Sequence, residues 1–338
     1  MDAVNLKRLA RQLNLSVSTV SRALRDSYEI SYETKQKVLS LAKQLNYQPN
    51  PYASSLRKHK SKTIAVVVPE IANNFFSLAI NGIGSVAQEK GYHVLIYLTH
   101  EDLKLESSII RHLQSGRVDG VLISLSSETN DITHLLELRQ KGLPIVFFDR
   151  VCEEIETAKI TTDDYESGFK ATEHLIGRGC KKIAYLLISE NLSIGIKRMQ
   201  GYQDALKKHD IDFDDKLVVH GSKNNDENYV VIKNLLKRKN RPDGIFASVE
   251  KLAITTYHVC RELSLNIPQD VKIISFSNLE TASLLNPSMT TITQPAYDIG
   301  KEAAAILFKA LDKNKIAISN EKIMLKSELI IRESTGGN

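Results

Sequence analysis

Hydrophobic positions change their spacing once, decisively, along this chain. Near its start Leu6, Leu9, Ala10 and Leu13 recur at the three-and-four interval of an amphipathic helix. Asn14, which tolerates left-handed backbone, ends that helix, and Ser16 is placed to cap a second one running to about Leu24. On the second helix Val20, Ala23 and Leu24 face inward, leaving Val17, Ser18, Ser21 and Arg22 on the outer, N-terminal face. Ser31 caps a third helix over 32–45, whose Val38, Leu41, Ala42 and Leu45 close a small core. From Lys62 onward near-continuous apolar runs alternate with helix-length segments. One series covers 63–68, 93–98, 120–124 and 144–148, and a second covers 182–188, 244–247 and 271–276. Such runs predict parallel strands covered by helices on both faces, in two doubly wound lobes. The predicted fold is a small all-α helix-turn-helix domain followed by a two-lobed α/β core of parallel sheets. Ligands of such sheets bind beyond the carboxyl ends of the strands, so two facing lobes imply a cleft.

Composition adds an asymmetry. The 338 residues are 42% hydrophobic and 25% charged, ordinary for globular protein, with a net charge of +5. Residues 1–62 hold twelve Lys/Arg against Asp2, Asp26, Glu29 and Glu33, a net +8 that leaves −3 for the remainder. A basic end domain with an outward-facing second helix is suited to the DNA major groove. Arg22 can donate two hydrogen bonds to guanine, Ser18 can serve either base type, and Val17 offers an apolar contact. No run of eighteen apolar residues predicts a membrane span, and no apolar segment opens the chain, so a cytoplasmic location is expected. Cys152, Cys180 and Cys260 show no CxxC spacing, which speaks against a disulfide framework or zinc site. No metal or cofactor is expected.

The strings Leu15-Ser-Val-Ser-Thr-Val-Ser-Arg-Ala-Leu24, Ser31-Tyr-Glu-Thr-Lys-Gln-Lys-Val38 and Leu45-Asn-Tyr-Gln-Pro-Asn-Pro-Tyr-Ala-Ser-Ser-Leu56 resemble the LacI family of bacterial transcription regulators. The resemblance spans essentially the whole chain. It implies a hinge helix after Asn50 that folds on operator DNA, with Leu56 wedged into the central base step and Ala53 at the neighbouring minor-groove contact. Unstacking a step costs a few kcal/mol, about what a bent groove returns in contact. The alternative for Leu56 is a core leucine of an ordinary linker helix, which Pro49, Pro51 and the basic run from Arg57 disfavour. The DNA-facing set is completed by Ser31, Asn50, Arg57 and Lys58. The resemblance implies domains 1–47, 48–61 (hinge and linker) and 62–338. The last is a core like the type I periplasmic binding proteins, with lobes of about 62–160 plus 293–320 and 161–292 plus 321–334, and crossings near 159–163, 289–294 and 318–324.

Matching motifs place the cleft. Pro69-Glu-Ile-Ala-Asn-Asn-Phe-Phe76 sets Asn74, Phe75 and Phe76 beyond the first strand, where a ring can stack on a ligand face. Phe148-Asp149-Arg150 ends the fourth run; Asp149 can accept ligand hydroxyls, or form a plain ion pair with Arg150. Arg198 matches the family's cleft arginine, and Glu250 stands where the family usually has the aspartate of an Asn-Asp pair. Ser275-Phe-Ser-Asn278 also departs from the family pattern. Lys223 falls near a usual ligand-stacking aromatic, and a lysine beside Arg198 would suit a sugar acid or phosphosugar.

The expected protein is thus a repressor, not an enzyme. It is expected to act as a homodimer on palindromic operator DNA, controlled by a carbohydrate-derived effector and with no membrane partner. Two rival readings are weaker. A transport binding protein would share the core but not the basic end. A dinucleotide enzyme would rest on Gly82-Ile-Gly84-Ser-Val-Ala87, which falls inside a predicted helix and not at a strand-to-helix turn.

Overall fold

The computed structural model of the chain describes residues 5–47, 60–187, 189, 192–222, 224–313 and 318–337. They fall into two units, 1–61 and 62–338. In the first, α1 (Leu6–Leu13), α2 (Val17–Ala23) and α3 (Tyr32–Gln44) follow the sequence signals. Asn14 ends α1 at φ 54°, and Ser16 caps α2 by accepting the Thr19 amide at 3.0 Å. Leu9, Ala10, Val20, Ala23, Val38 and Ala42 form the buried core. Leu45, expected to close it, is instead the cap that ends α3. Tyr47 packs there, because its amide returns to the Ala42 carbonyl at 2.8 Å.

In the second unit one six-stranded sheet comprises β1 (Thr63–Val68), β2 (His93–Leu98), β3 (Gly120–Ile123), β4 (Ile145–Phe148), β5 (Lys159–Thr162) and β11 (Lys322–Leu325). Its order is β11-β5-β4-β3-β1-β2, parallel throughout. The other comprises β6 (Ile183–Leu187), β7 (Val218–His220), β8 (Gly244–Ala247), β9 (Lys272–Phe276), β10 (Thr290–Thr293) and β12 (Glu328–Ile330), ordered β12-β10-β9-β8-β6-β7, with only β12 antiparallel. Successive strand residues point to opposite faces, so each buried strand feeds two cores. Ile64, Val66 and Val68 meet α4 (Asn74–Glu89) and α11 (Ala296–Asp312). Ala65 and Val67 meet α5 (Leu103–Leu113) and α6 (Thr133–Gln140). In the second lobe Tyr185 and Leu187 face α7 (Asp164–Gly177) and α8 (Ser193–Lys208). Ala184 and Leu186 face α9 (Asn225–Leu236) and α10 (Glu250–Glu262).

The chain changes lobes after β5, after β10 and after β11. The third crossing lies later than the expected 318–324. Lys322–Leu325 pairs in register with Lys159–Thr162, so 322–325 belongs to the first lobe, not to the second as expected. The crossings are tied to one another. Gln294 Nε2 donates to Thr162 Oγ1 at 3.1 Å, and Asp163 Oδ1 accepts the Ser327 amide at 2.7 Å.

Gly82-Ile-Gly84-Ser-Val-Ala87 lies within α4. A Cβ on Gly82 would stand 2.1 Å from the Tyr297 carbonyl oxygen of α11, whereas one on Gly84 would meet open space. Gly82→Ala is therefore expected to force α4 and α11 apart and lower Tm by several degrees. Gly84→Ala is expected to raise stability by about 0.5–1 kcal/mol, since alanine loses less backbone entropy in a helix. Paired thermal melts check both signs.

Candidate functional site

On α2, Val17, Ser18 and Arg22 are exposed, as the helical period predicts. Ser21 is not: at 8% exposure it is buried. It lies next to the inward-facing Val20 in the sequence of α2. Arg22 meets Glu29 at 2.8 Å in a solvent-exposed pair, worth about 0–1 kcal/mol and so readily exchanged for another partner. Ser31 is exposed and caps α3 through the Thr34 amide at 3.4 Å. Asn50, Ala53, Leu56, Arg57, Lys58 and Lys223 lie outside the described residues.

In the second unit a cavity of about 380 Å³ opens where strand ends from both sheets meet. Glu70 and Asn73 follow β1, His100 and Glu101 follow β2, Ser127 follows β3, and Arg150 follows β4. The other lobe contributes Ser189 after β6, Ser248 and Glu250 after β8, and Arg198 from α8. A smaller pocket shares Arg150, Arg198 and Glu250 and adds Phe75, Phe76, Asp149, Phe276, Asn278 and Gln294.

The electrostatics of this cleft are organised by two arginines. Arg150 Nη1 donates to both oxygens of Glu101 at 2.8 and 2.9 Å, and its guanidinium lies 5.6 Å from the Phe76 ring centre. Its Nε has no hydrogen-bond partner among the described residues and stands 3.9 Å from Asp149 Oδ2. Burial opposes ionisation of Glu101, but Arg150 and the Ser127 amide outweigh it and hold the carboxyl below its usual range. Arg198 Nε donates to Asp164 Oδ1 at 2.7 Å, its Nη1 to the Ser248 carbonyl at 2.8 Å, and its guanidinium lies 3.6 Å from the Phe276 ring centre. This contact needs glycines. A Cβ on Gly168 would stand 2.5 Å from the Arg198 carbonyl oxygen, and one on Gly201 would stand 2.2 Å from that of Tyr165. Burial pushes the Asp164 carboxyl up and Arg198 pulls it back.

His100, Glu101 and Asp149 have φ of 50°, 60° and 60°. Non-glycine residues held there cost about 1–3 kcal/mol each, and such strain collects at ligand sites. Glu106, fully buried, accepts the Ser126 amide at 2.8 Å and Thr129 Oγ1 at 2.9 Å, fixing the loop that carries Ser127.

A family model described as bacterial regulatory proteins, lacI family, matches residues 5–50, and one described as a periplasmic binding protein-like domain matches 172–335. The HTH-type transcriptional regulator RegA of Clostridium saccharobutylicum is 30% identical over 334 residues, covering 98% of this chain and 99% of its own. The ribose operon repressor of Halalkalibacterium halodurans is 30% identical over 333 residues, covering 98% and 97%. The chain belongs to the LacI family of transcriptional regulators. Among solved structures, the cellobiose complex of the regulator CelR superposes at TM-score 0.73 with 26% identity, over 98% of this chain and 100% of the other. The lac repressor dimer bound to operator and an anti-inducer shares the fold at TM-score 0.84 and 21% identity, over 99% of both chains.

Within this LacI-family core, Phe75, Phe76, Asp149, Arg198 and Glu250 all come together at the cleft. Asn74 does not line it. It is the first residue of α4, and the preceding Asn73, which caps that helix by accepting the Phe75 amide at 2.9 Å, takes its place. Arg150 does not chiefly pair with its neighbour Asp149; its firm partner is Glu101. Sequence reasoning missed Glu101, Asp164, Phe276 and Asn278. Phe276 and Asn278 both sit in the noted Ser275-Phe-Ser-Asn278 string, whose departure from the family pattern was the one available signal.

Asp149 is 5% exposed, and its carboxyl is pushed up to about 6 by burial, against the opposing pull of Arg150 and Arg198. The folded protein thus holds this proton more tightly than the unfolded chain. That contribution to stability is complete below about pH 4, near the ordinary value of 3.8, and is lost as pH rises through 6. Asp149→Asn is expected to melt several degrees above the parent at pH 7.5 and to converge with it near pH 4. Scanning calorimetry at both values checks this, and an equal difference at both would remove the linkage.

Proposed function

We propose that this regulator is a repressor whose homodimer binds a palindromic operator, and that a carbohydrate-derived effector in the cleft controls it without being chemically changed. The division proposed is 1–47 for reading the major groove, 48–61 for hinge and linker, and 62–338 for sensing, in a cytoplasmic protein. The observation that carries the reading is a cleft at the carboxyl ends of two facing sheets, walled by Phe75, Phe76 and Phe276 and by the polar Asp149, Asn278 and Glu250. Apolar rings with a few fixed polar groups suit a sugar ring, whose faces are apolar and whose edge carries hydroxyls. The CelR–cellobiose complex and the lac repressor–operator dimer support the two halves of the reading.

On α2, Val17, Ser18 and Arg22 are assigned to base edges, with Ser31, Arg57 and Lys58 at phosphates and Asn50, Ala53 and Leu56 in the hinge. One helix-turn-helix covers a half-site, so twofold protein symmetry requires a palindrome. The test is to incubate the protein with sheared DNA from its own source and sequence what is retained. A shared palindrome is expected; random retention with and without a panel of sugars would contradict the reading. Arg22→Ala is expected to relax base preference at one position per half-site, at a cost of about 1–3 kcal/mol. Lys58→Ala is expected to weaken all sequences alike and lower the salt slope by about 1. Leu56→Ala is expected to lose operator binding while keeping nonspecific binding, and equal loss of both would remove the wedge. Competition assays across salt concentrations read all three.

A further inference from the structure

Each lobe presents one arginine to the cleft, and each arginine is matched within its own lobe by a carboxylate and a phenylalanine. In the first lobe these are Arg150, Glu101 and Phe76, and in the second Arg198, Asp164 and Phe276. Arg198 and Asp164 are 3% and 1% exposed, so their ion pair is buried in the cleft wall. The two pairs are built from unrelated segments, the end of β2 with the end of β4, and the start of α7 with α8. Neither arises from local spacing.

We infer that Glu101 and Asp164 set the charge class of the effector. An arginine neutralised in place still donates hydrogen bonds to a hydroxyl or carbonyl oxygen, but it offers no net attraction to a carboxylate or phosphate. The surroundings add repulsion. Among the described residues lining the two pockets, the carboxylates Glu70, Glu101, Asp149 and Glu250 outnumber Arg150, Arg198 and Lys251. An anionic ligand would meet two guanidiniums whose charge is already matched, and would bring its own charge beside Glu101 and Asp164, each a buried or half-buried carboxylate. The cleft therefore excludes the sugar acid or phosphosugar that Lys223 beside Arg198 would suit, and Asp164 is the specificity-determining residue most deeply committed to that exclusion. The inference rests on the cleft being the effector site.

The test is calorimetric titration of the full-length protein at pH 7.5 and fixed ionic strength, with inorganic phosphate as the anionic probe. The proteins are the parent, Asp164→Asn, Glu101→Gln and the double variant Asp164→Asn/Arg198→Gln. Phosphate held by the basic N-terminal unit is a background common to all four. Asp164→Asn keeps an oxygen for Arg198 while removing the charge, and is expected to tighten phosphate binding at least tenfold. Glu101→Gln is expected to do likewise, and the double variant to return to the parent's value. Parent-like phosphate binding in both single variants overturns the inference, as does parent binding already as tight as theirs. If Asp164→Asn does not fold, Glu101→Gln decides alone. Failure of the regulator reading appears separately, as operator binding by the parent that no neutral sugar alters.

Discussion

A guanidinium keeps its proton at any pH a protein meets, so burying Arg198 demands a fixed counter-charge. Asp164 supplies it at 2.7 Å, and much of the core is arranged around that contact. Gly168 and Gly201 let α7 and α8 touch closely enough for the two side chains to meet. Thr162 Oγ1 donates to Asp164 Oδ2 at 3.2 Å and receives Gln294 Nε2, joining the first lobe crossing to the second. The adjacent Asp163 holds Ser327 at the third. The buried ion pair is thus linked by hydrogen bonds to two of the three crossings, and the residue before Asp164 holds the third.

This arrangement gives a physical route from ligand to DNA. A molecule in the cleft touches groups from both lobes, and the lobes are joined through three short, mutually hydrogen-bonded crossings. Three short crossings suit a hinge motion better than a shear of packed helices. The ligand shifts the equilibrium only by its differential affinity for open and closed forms. The left-handed backbone at His100, Glu101 and Asp149 puts strained residues where closure acts, so their cost is available to be relieved or deepened on binding.

Long, strongly patterned features were legible in the sequence. The caps at Ser16 and Ser31, the left-handed stop at Asn14 and the central strands β1, β3, β4, β6, β8 and β9 follow from period and propensity alone. Short edge pieces were not. Lys322–Leu325 offers only the three apolar residues Ile323, Met324 and Leu325, with alternating exposure, and it pairs as a strand with Lys159–Thr162. Ser21 shows the limit of a helical wheel, which assigns a face but not the burial of each position on it. Glu101 and Asp164 were invisible for another reason. Their roles come from partners 49 and 34 residues away, and nothing local marks an acid destined to neutralise a distant arginine.

The central claim is that the cleft and the DNA-reading end share one equilibrium. The most direct measurement is the affinity of a cleft-binding sugar, its binding abolished by Arg198→Ala, for the protein free and saturated with operator. Linkage requires that operator change the sugar's affinity by the same factor by which the sugar changes operator affinity, and a factor of about 5–150 is predicted. A cleft ligand bound equally tightly with and without operator would contradict the account.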